Sequence, residues 1–327
     1  MIRFGVLGAA KISPNALVKP CADEDRAEIH CVAARDKERA GEFAAEHGIA
    51  VVHNNYSDVI NDPAINAVYN PLPISMHHEW TIKALRAGKH VLCEKSFAAN
   101  SREAKEMAAV AEETNRILME AFHYRYHPVF RRAREVVQSE ILGHVRFVEG
   151  AFHIQITDPN DIRMNYATGG GVTMDIGCYP ISWARHITGE EPEVVTAVAE
   201  VGPPNVDTFL EATFGFSSGV QATVSGDMRA GTTRRIDLKV TGNKGEMMVI
   251  NPMAPHQGHR IELNIQGKRT VEELDRRPTY AYQLDAFIDA IEQGKPLPTG
   301  PDDAVKQMQL IDRCYEAAGL PLRGLDL

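Results

Sequence analysis

Through residue 122 the chain alternates short apolar runs with stretches of helical period. Ile2–Leu7, Ile29–Ala34, Ala67–Asn70, His90–Cys93 and Ile117–Phe122 read as strands. Asp36–His47, Met76–Ala87 and Ser101–Asn115 carry helical patterns between them. Gly88 is a stop signal after Ala87, and Ser101 is a candidate N-cap. Strand and helix alternating in this way predict a parallel sheet covered on both faces. After Pro128 the pattern changes. One helix, Val129–Ser139, leads into segments of period two. Val220, Ala222 and Val224, then Ile236, Leu238 and Val240, then Ile261, Leu263 and Ile265 alternate with polar neighbours. That alternation predicts an antiparallel sheet with one apolar, covered face and one polar face. Gly242-Asn243-Lys244-Gly245 reads as a hairpin turn, and Tyr280–Gln293 and Asp302–Ala318 as two terminal helices.

A length of 327 residues suits about two domains. The change of pattern puts the boundary near Phe122, giving domains 1–122 and 123–327. The formal charge of −9 disfavours a broad basic face, so no nucleic-acid partner is expected. Five cysteines, at 21, 31, 93, 178 and 314, are too scattered for a disulfide framework or a CxxC metal site. The opening Met1-Ile2-Arg3-Phe4-Gly5 lacks signal-peptide architecture, and no run of about 18 apolar residues predicts a membrane span. A reducing cytoplasm is the expected location.

The first strand runs into Gly8-Ala9-Ala10-Lys11-Ile12-Ser13. This resembles an imperfect dinucleotide fingerprint. Gly8 serves the tight turn, Ala10 stands where a second glycine would approach the pyrophosphate, and Ser13 stands at the third position. Lys11 and Ile12 fall in the same loop. The second strand ends Val32-Ala33-Ala34-Arg35-Asp36, with Arg35 where an NAD enzyme usually carries an acid. An arginine there can pair with a 2′-phosphate, with Lys37 and Arg39 adding charge. NADP is therefore expected as the preferred cofactor, with NAD as the alternative. Asn70, Pro71 and Leu72 follow a strand's carboxyl end, where ligands of such sheets bind.

Three strings together carry a family resemblance. They are Val68-Tyr69-Asn70-Pro71-Leu72-Pro73 followed by Ser75-Met76-His77-His78-Glu79, then Ala87-Gly88-Lys89-His90-Val91-Leu92-Cys93-Glu94-Lys95, then Gly169-Gly170-Gly171-Val172-Thr173-Met174-Asp175-Ile176-Gly177-Cys178-Tyr179. In this order and spacing the chain resembles the Gfo/Idh/MocA oxidoreductases over essentially its whole length. The resemblance implies an N-terminal Rossmann domain and a C-terminal α+β domain built on a large, mainly antiparallel open-faced sheet. It implies a catalytic lysine at Lys95, a carboxylate at Asp175 and an acid/base at Tyr179. It also places His77 and Glu94 at the cofactor site, and dimers or tetramers formed through the second-domain sheet. Tyrosine at 179, together with Glu120–Pro128, resembles the dihydrodiol, xylose and glucose–fructose branch. One departure is Ser96, where the family has a proline that is often cis. Either the loop keeps a cis bond there or Lys95 is aimed differently.

The expected reaction moves hydride between a nicotinamide and the CH–OH or C=O of a sugar, polyol or cyclic diol. A base must take the hydroxyl proton, and a free tyrosine with a pKa near 10 needs help at neutral pH. An ammonium at Lys95 would favour the phenolate; Lys95 as the proton donor is the alternative. A four-residue step in an opening helical turn would put Asp175 and Tyr179 on one face. Arg125, Arg163 and Tyr166 are candidate substrate contacts. An NAD-dependent glycosidase and a non-catalytic nucleotide-sensing protein are the rival readings. No metal site is expected: His123 and His127, on a strand read through Tyr126, would lie about 13 Å apart.

Overall fold

The computed structural model describes residues 1–202 and 205–324. Among them are two compact units, one of Met1–His123 with Tyr280–Val305, the other of the remaining described residues. In the first, β1 (Ile2–Leu7), β2 (Ala27–Ala33), β3 (Val51–Val52), β4 (Ala67–Asn70), β5 (His90–Cys93) and β6 (Leu118–Glu120) form one sheet in the order β3-β2-β1-β4-β5-β6. Every pairing is parallel. This is the doubly wound Rossmann order, whose direction reverses between β1 and β4 and leaves a ligand crevice at the strands' carboxyl ends. The central strands read as near-continuous apolar runs because both faces are covered: Phe4, Val6, Val68, Tyr69, Val91 and Leu92 are buried.

Helices α1 (Lys19–Ala22), α2 (Lys37–His47), α3 (Tyr56–Ile60), α4 (His77–Arg86) and α5 (Ser101–Thr114) connect the strands. Asp36 caps α2 by accepting from the Glu38 and Arg39 amides. The expected cap of α5 moves back one residue. Asn100, not Ser101, accepts the Glu103 amide at 3.1 Å, and the Glu103 carboxylate accepts the Ala99 amide at 3.0 Å. The predicted fifth strand is also shorter. His123–Tyr126 forms a 3₁₀ turn rather than extended chain, so the 13 Å argument about His123 and His127 does not apply. His127 instead accepts the Val129 amide through Nδ1 at the start of α6 (Pro128–Gln138).

The division at 122/123 left residues 280–305 in the second domain, but they pack in the first unit. Phe287, on α8 (Thr279–Gln293), stacks on Phe4 with ring centroids 5.7 Å apart. Thr299 and Glu120 exchange hydrogen bonds, N–H to Thr299 O at 2.9 Å and Thr299 Oγ1 to Glu120 O at 2.8 Å. Such long-range packing has no local signature in the chain.

The second unit is built on eight strands: β7 (Val145–His153), β8 (Glu193–Gly202), β9 (Val206–Gly215), β10 (Gln221–Asp227), β11 (Arg235–Gly242), β12 (Gly245–Ile250), β13 (Arg260–Ile265) and β14 (Lys268–Glu272). Their order is β14-β13-β12-β11-β7-β10-β9-β8. All pairs are antiparallel except β7 with β10. The Asn243-Lys244 link joins β11 to β12 as expected. The helix α7 (Cys178–Thr188) and the turn before it lie on one face of this sheet. Gly226 lets them close in, because a Cβ there would sit 3.0 Å from Gly177 Cα. Gln307, on α9 (Pro301–Ala317), donates to Cys178 O at 3.0 Å. The opposite face is less polar than the alternation suggested: Phe147, Val195 and Val198 are 53 %, 66 % and 57 % exposed. No described helix is long and apolar enough to cross a membrane.

Asp207 anchors this unit. Fully buried, it accepts from the Thr173 amide at 2.8 Å, the Thr173 hydroxyl at 2.5 Å, Tyr315 Oη at 3.2 Å and Arg323 Nη2 at 2.5 Å. Arg323, also buried, donates to Gly170 O at 3.0 Å. Removing one partner of a buried ion pair leaves the other charge uncompensated, which costs about 3–5 kcal/mol. Asp207→Ala should lower unfolding stability by about that amount in urea titrations. A loss within about 0.5 kcal/mol, the usual range for surface substitutions, would show that Arg323 finds water instead.

Candidate active site

The turn after β1 begins at Gly8, whose φ of +94° favours glycine. Its amide donates to Ala33 O at 2.6 Å. Ala10 and the buried Ser13 close the turn through Ser13 N to Ala10 O at 3.1 Å, and a π-helical turn, Pro14–Val18, follows. Lys11 and Ile12 face solvent. Tyr56 and Leu72 line the turn: a Cβ on Gly8 would lie 3.9 Å from Tyr56 Oη and 3.2 Å from Leu72 Cδ2. Sequence reasoning missed Tyr56, whose one local signal is its place directly after the Asn55 helix cap.

Arg35 is exposed at the end of β2, and its guanidinium makes no hydrogen bond or ion pair among the described residues. Arg39, expected as an added charge, is exposed like Arg35. Its Nη2 donates to Ala9 O at 2.7 Å and braces the Gly8 loop. Lys37 donates to Asn54 Oδ1 at 2.8 Å.

The loops after β4 and β5 are tied to each other. Asn70 is buried; its Nδ2 donates to Thr81 Oγ1 at 3.1 Å and its Oδ1 accepts the Leu72 amide at 3.3 Å across Pro71. His77 is buried with Nδ1 2.9 Å from Ser96 O and Nε2 2.8 Å from Leu72 O. Burial is the main cause that holds its pKa down to about 4, so the ring is neutral at pH 7 and its single N–H donates to one of the two carbonyls. The Lys95–Ser96 peptide bond is cis. Phe97 N donates to Glu120 Oε1 at 3.0 Å, and Glu94 accepts from Tyr69 Oη at 2.8 Å. Burial first, and the Glu94 carboxylate second, push the Tyr69 phenol above its ordinary range. Half-buried Lys95 is thus carried on a turn held from both sides, by His77 at Ser96 O and by Glu120 at Phe97 N.

On the second unit, Asp175 lies in a π-helical turn, Thr173–Gly177, that runs directly into α7. A π turn closes i to i+5, so the four-residue step to Tyr179 falls slightly short of a full turn, a geometry the sequence did not disclose. Pro180 is the third residue of α7, directly after the π-helical turn, and contributes no N–H to the continuous helical stretch. Tyr179 is buried in an aromatic wall, with ring centroids 5.5 Å from Phe152, 6.0 Å from Tyr124 and 6.3 Å from Trp183. Arg163 Nε donates to Asp175 Oδ2, and its Nη1 lies 3.1 Å from Asp161 Oδ1. Tyr166 is turned toward the chain end: its hydroxyl donates to Leu322 O at 3.3 Å and the Arg323 guanidinium lies 4.5 Å from its ring centroid. Arg125 is buried on the His123–Tyr126 turn. The anchor formed by Asp207 and Arg323 holds the glycines and Thr173 just before Asp175, and no motif in the chain pointed to it.

Comparison with known proteins adds the family. Residues 2–122 match the family model described as an oxidoreductase family with an NAD-binding Rossmann fold, and residues 130–248 match the GFO/IDH/MocA C-terminal domain. A D-xylose 1-dehydrogenase (NADP(+)) of Haloferax volcanii is 32% identical over 316 residues, covering 96% of this chain and 97% of the relative. A trans-1,2-dihydrobenzene-1,2-diol dehydrogenase of Xenopus tropicalis is 31% identical over 257 residues, 77% of this chain and 76% of that protein. A 3-ketoreductase from Actinomadura kijaniata, solved in complex with NADP and TDP-benzene, superposes with a TM-score of 0.90 at 28% identity, covering 97% of both chains. With both of its units accounted for in this way, the chain belongs to the Gfo/Idh/MocA family of oxidoreductases.

Proposed function

We propose that this protein is an NADP-dependent dehydrogenase or reductase acting on the CH–OH or C=O group of a sugar, polyol or cyclic diol. The observation that carries the reading is the unpaired, exposed Arg35 guanidinium at the end of β2, within a Rossmann unit whose Gly8 turn is shaped for a pyrophosphate. A 2′-phosphate offers that guanidinium two parallel charge-assisted hydrogen bonds. Gly8, Ala10, Lys11 and Ile12 would hold the pyrophosphate. The Asn70-Pro71-Leu72 loop, His77, Glu94 and Lys95 would shape the nicotinamide end. Asn70 and His77 act by fixing main chain, because their polar atoms are already occupied. When bound, the nicotinamide supplies the hydride acceptor or donor.

The remaining chemistry falls to side chains. Tyr179 exchanges the proton with the substrate oxygen, and Lys95 supplies a positive charge. Asp175, held by Arg163, orients a substrate hydroxyl. Arg163 and Arg125 offer donors to further hydroxyls, while Tyr166 serves as a wall. The exposed Phe147, Val195 and Val198 make the open sheet face the surface on which copies of the chain join as a dimer or tetramer. Five free thiols suit a reducing cytoplasm.

Lys95→Ala and Tyr179→Phe should each lower kcat by about 10²–10⁴-fold while NADPH binding, followed by nicotinamide fluorescence, is retained. Wild-type turnover in both variants would remove the assignment. Arg35→Ala should raise KM for NADP by roughly 10- to 100-fold and leave KM for NAD unchanged. A strong NAD preference shared by wild type and variant would refute the cofactor reading. Light scattering should find an oligomer that Val198→Glu splits, and a monomeric wild type at micromolar concentration would contradict the proposed surface.

A further inference from the structure

One group of ligating side chains belongs to neither half of the candidate site. Cys31 on β2, His53 just after β3 and Asp62 just after α3 bring a thiol sulfur, an imidazole nitrogen and a carboxylate oxygen within 4.8 Å of one another. Cys31 and Asp62 are buried and His53 is half-buried. His30 is not within that mutual distance, but it approaches the group from one side. His30 Nε2 lies 3.7 Å from Asp62 Oδ2, the same oxygen that His53 Nε2 approaches at 2.8 Å.

Neighbours on a regular strand point to opposite faces, so His30 and Cys31 should not both reach Asp62. A bulge removes that restriction. Ile29 pairs with Phe4 and Cys31 with Gly5, leaving His30 without a partner across the ladder. Bulges of this kind re-aim side chains.

We propose that Cys31, His53 and Asp62, with His30 turning in as the fourth ligand, form a binding site for one transition-metal ion, with zinc(II) as the best fit. A thiolate, two imidazoles and a carboxylate make a mixed S/N/O set suited to a borderline-soft ion, whereas calcium and magnesium call for oxygen alone. Tetrahedral zinc, with bonds of about 2.0–2.3 Å, separates its ligand atoms by about 3.3–3.8 Å. The 3.7 Å between His30 and Asp62 already has that value. The 2.8 Å His53–Asp62 hydrogen bond must open by less than about 1 Å to reach it. Asp62 Oδ1 accepts the Ala64 amide at 2.8 Å, the kind of outer partner that steadies a ligating carboxylate. As the sulfur–metal bond forms, the Cys31 thiol releases its proton to solvent and both imidazoles bind neutral. Thiolate and carboxylate then balance the ion's two positive charges. The neighbouring Lys89 ammonium keeps its own acceptors, Asp62 O at 2.8 Å and Ile65 O at 2.7 Å. Four protein ligands make a closed, structural site. It would tie the two-residue edge strand β3 and the segment after α3 to β2, the strand that leads to Arg35.

The test strips the full-length protein with a chelator and titrates it with cobalt(II) as a spectroscopic probe. The expected result is one equivalent bound, with tetrahedral visible bands and a near-ultraviolet thiolate-to-cobalt band, all displaced by one equivalent of zinc(II). Cys31→Ser should abolish the thiolate band. His30→Gln and His53→Ala should each weaken binding by more than the roughly 10–100-fold that loss of an outer partner costs. A wild type without the thiolate band, or a band that survives in Cys31→Ser, overturns the site. If Cys31→Ser does not fold, His30→Gln decides, since its side chain is half-exposed: cobalt affinity equal to wild type would refute the four-ligand arrangement.

Discussion

A polar group shut away from water must find its hydrogen bonds inside the protein, and in this chain that constraint shapes both halves of the candidate site. Asp207 answers it with two hydroxyls, an amide and the Arg323 guanidinium, which fixes the start of the turn that carries Asp175. Asn70, His77 and Glu120 answer it with the main chain around Lys95. His77 and Glu120 thereby set the path of the backbone directly after Lys95.

Each unit carries candidate residues of its own. The first offers the positive-φ turn, the free cation at Arg35 and the Lys95 turn, all at the carboxyl ends of a parallel sheet. The second offers a tyrosine walled by Phe152, Tyr124 and Trp183, four residues after a carboxylate already paired with Arg163. Hydride transfer asks a protein for a dry, oriented acid/base and a held cofactor, and supplies of each are distinct here. Both π-helical turns among the described residues, Pro14–Val18 and Thr173–Gly177, adjoin candidate site residues, in keeping with where such turns concentrate.

Much of this was readable from residue order. Buried parallel strands declare themselves as apolar runs, and the half-covered second sheet as period two, so both architectures were visible. Lys95, Asp175 and Tyr179 became candidates because they lie in the strings that carry the family resemblance. What stayed hidden depends on contacts between residues far apart in the chain. Phe287 stacks on Phe4 and draws α8 into the first unit. Arg323 reaches Asp207 across 116 residues of sequence. The Cys31 cluster escaped because its members, at 31, 53 and 62, follow no metal spacing. The hydrogen bonds of Arg39 to Ala9 O and of Tyr166 to Leu322 O have no local signal in the chain either.

The central claim is that hydride passes between a nicotinamide and a substrate carbon. The direct measurement follows the label from NADPH deuterated at the transferable C4 position into product, using keto forms of sugars, polyols and cyclic diols. The account requires one deuterium on the new carbinol carbon, detected by mass spectrometry, and equal loss of NADPH. Tight NADPH binding with no label in any product across that panel would contradict it.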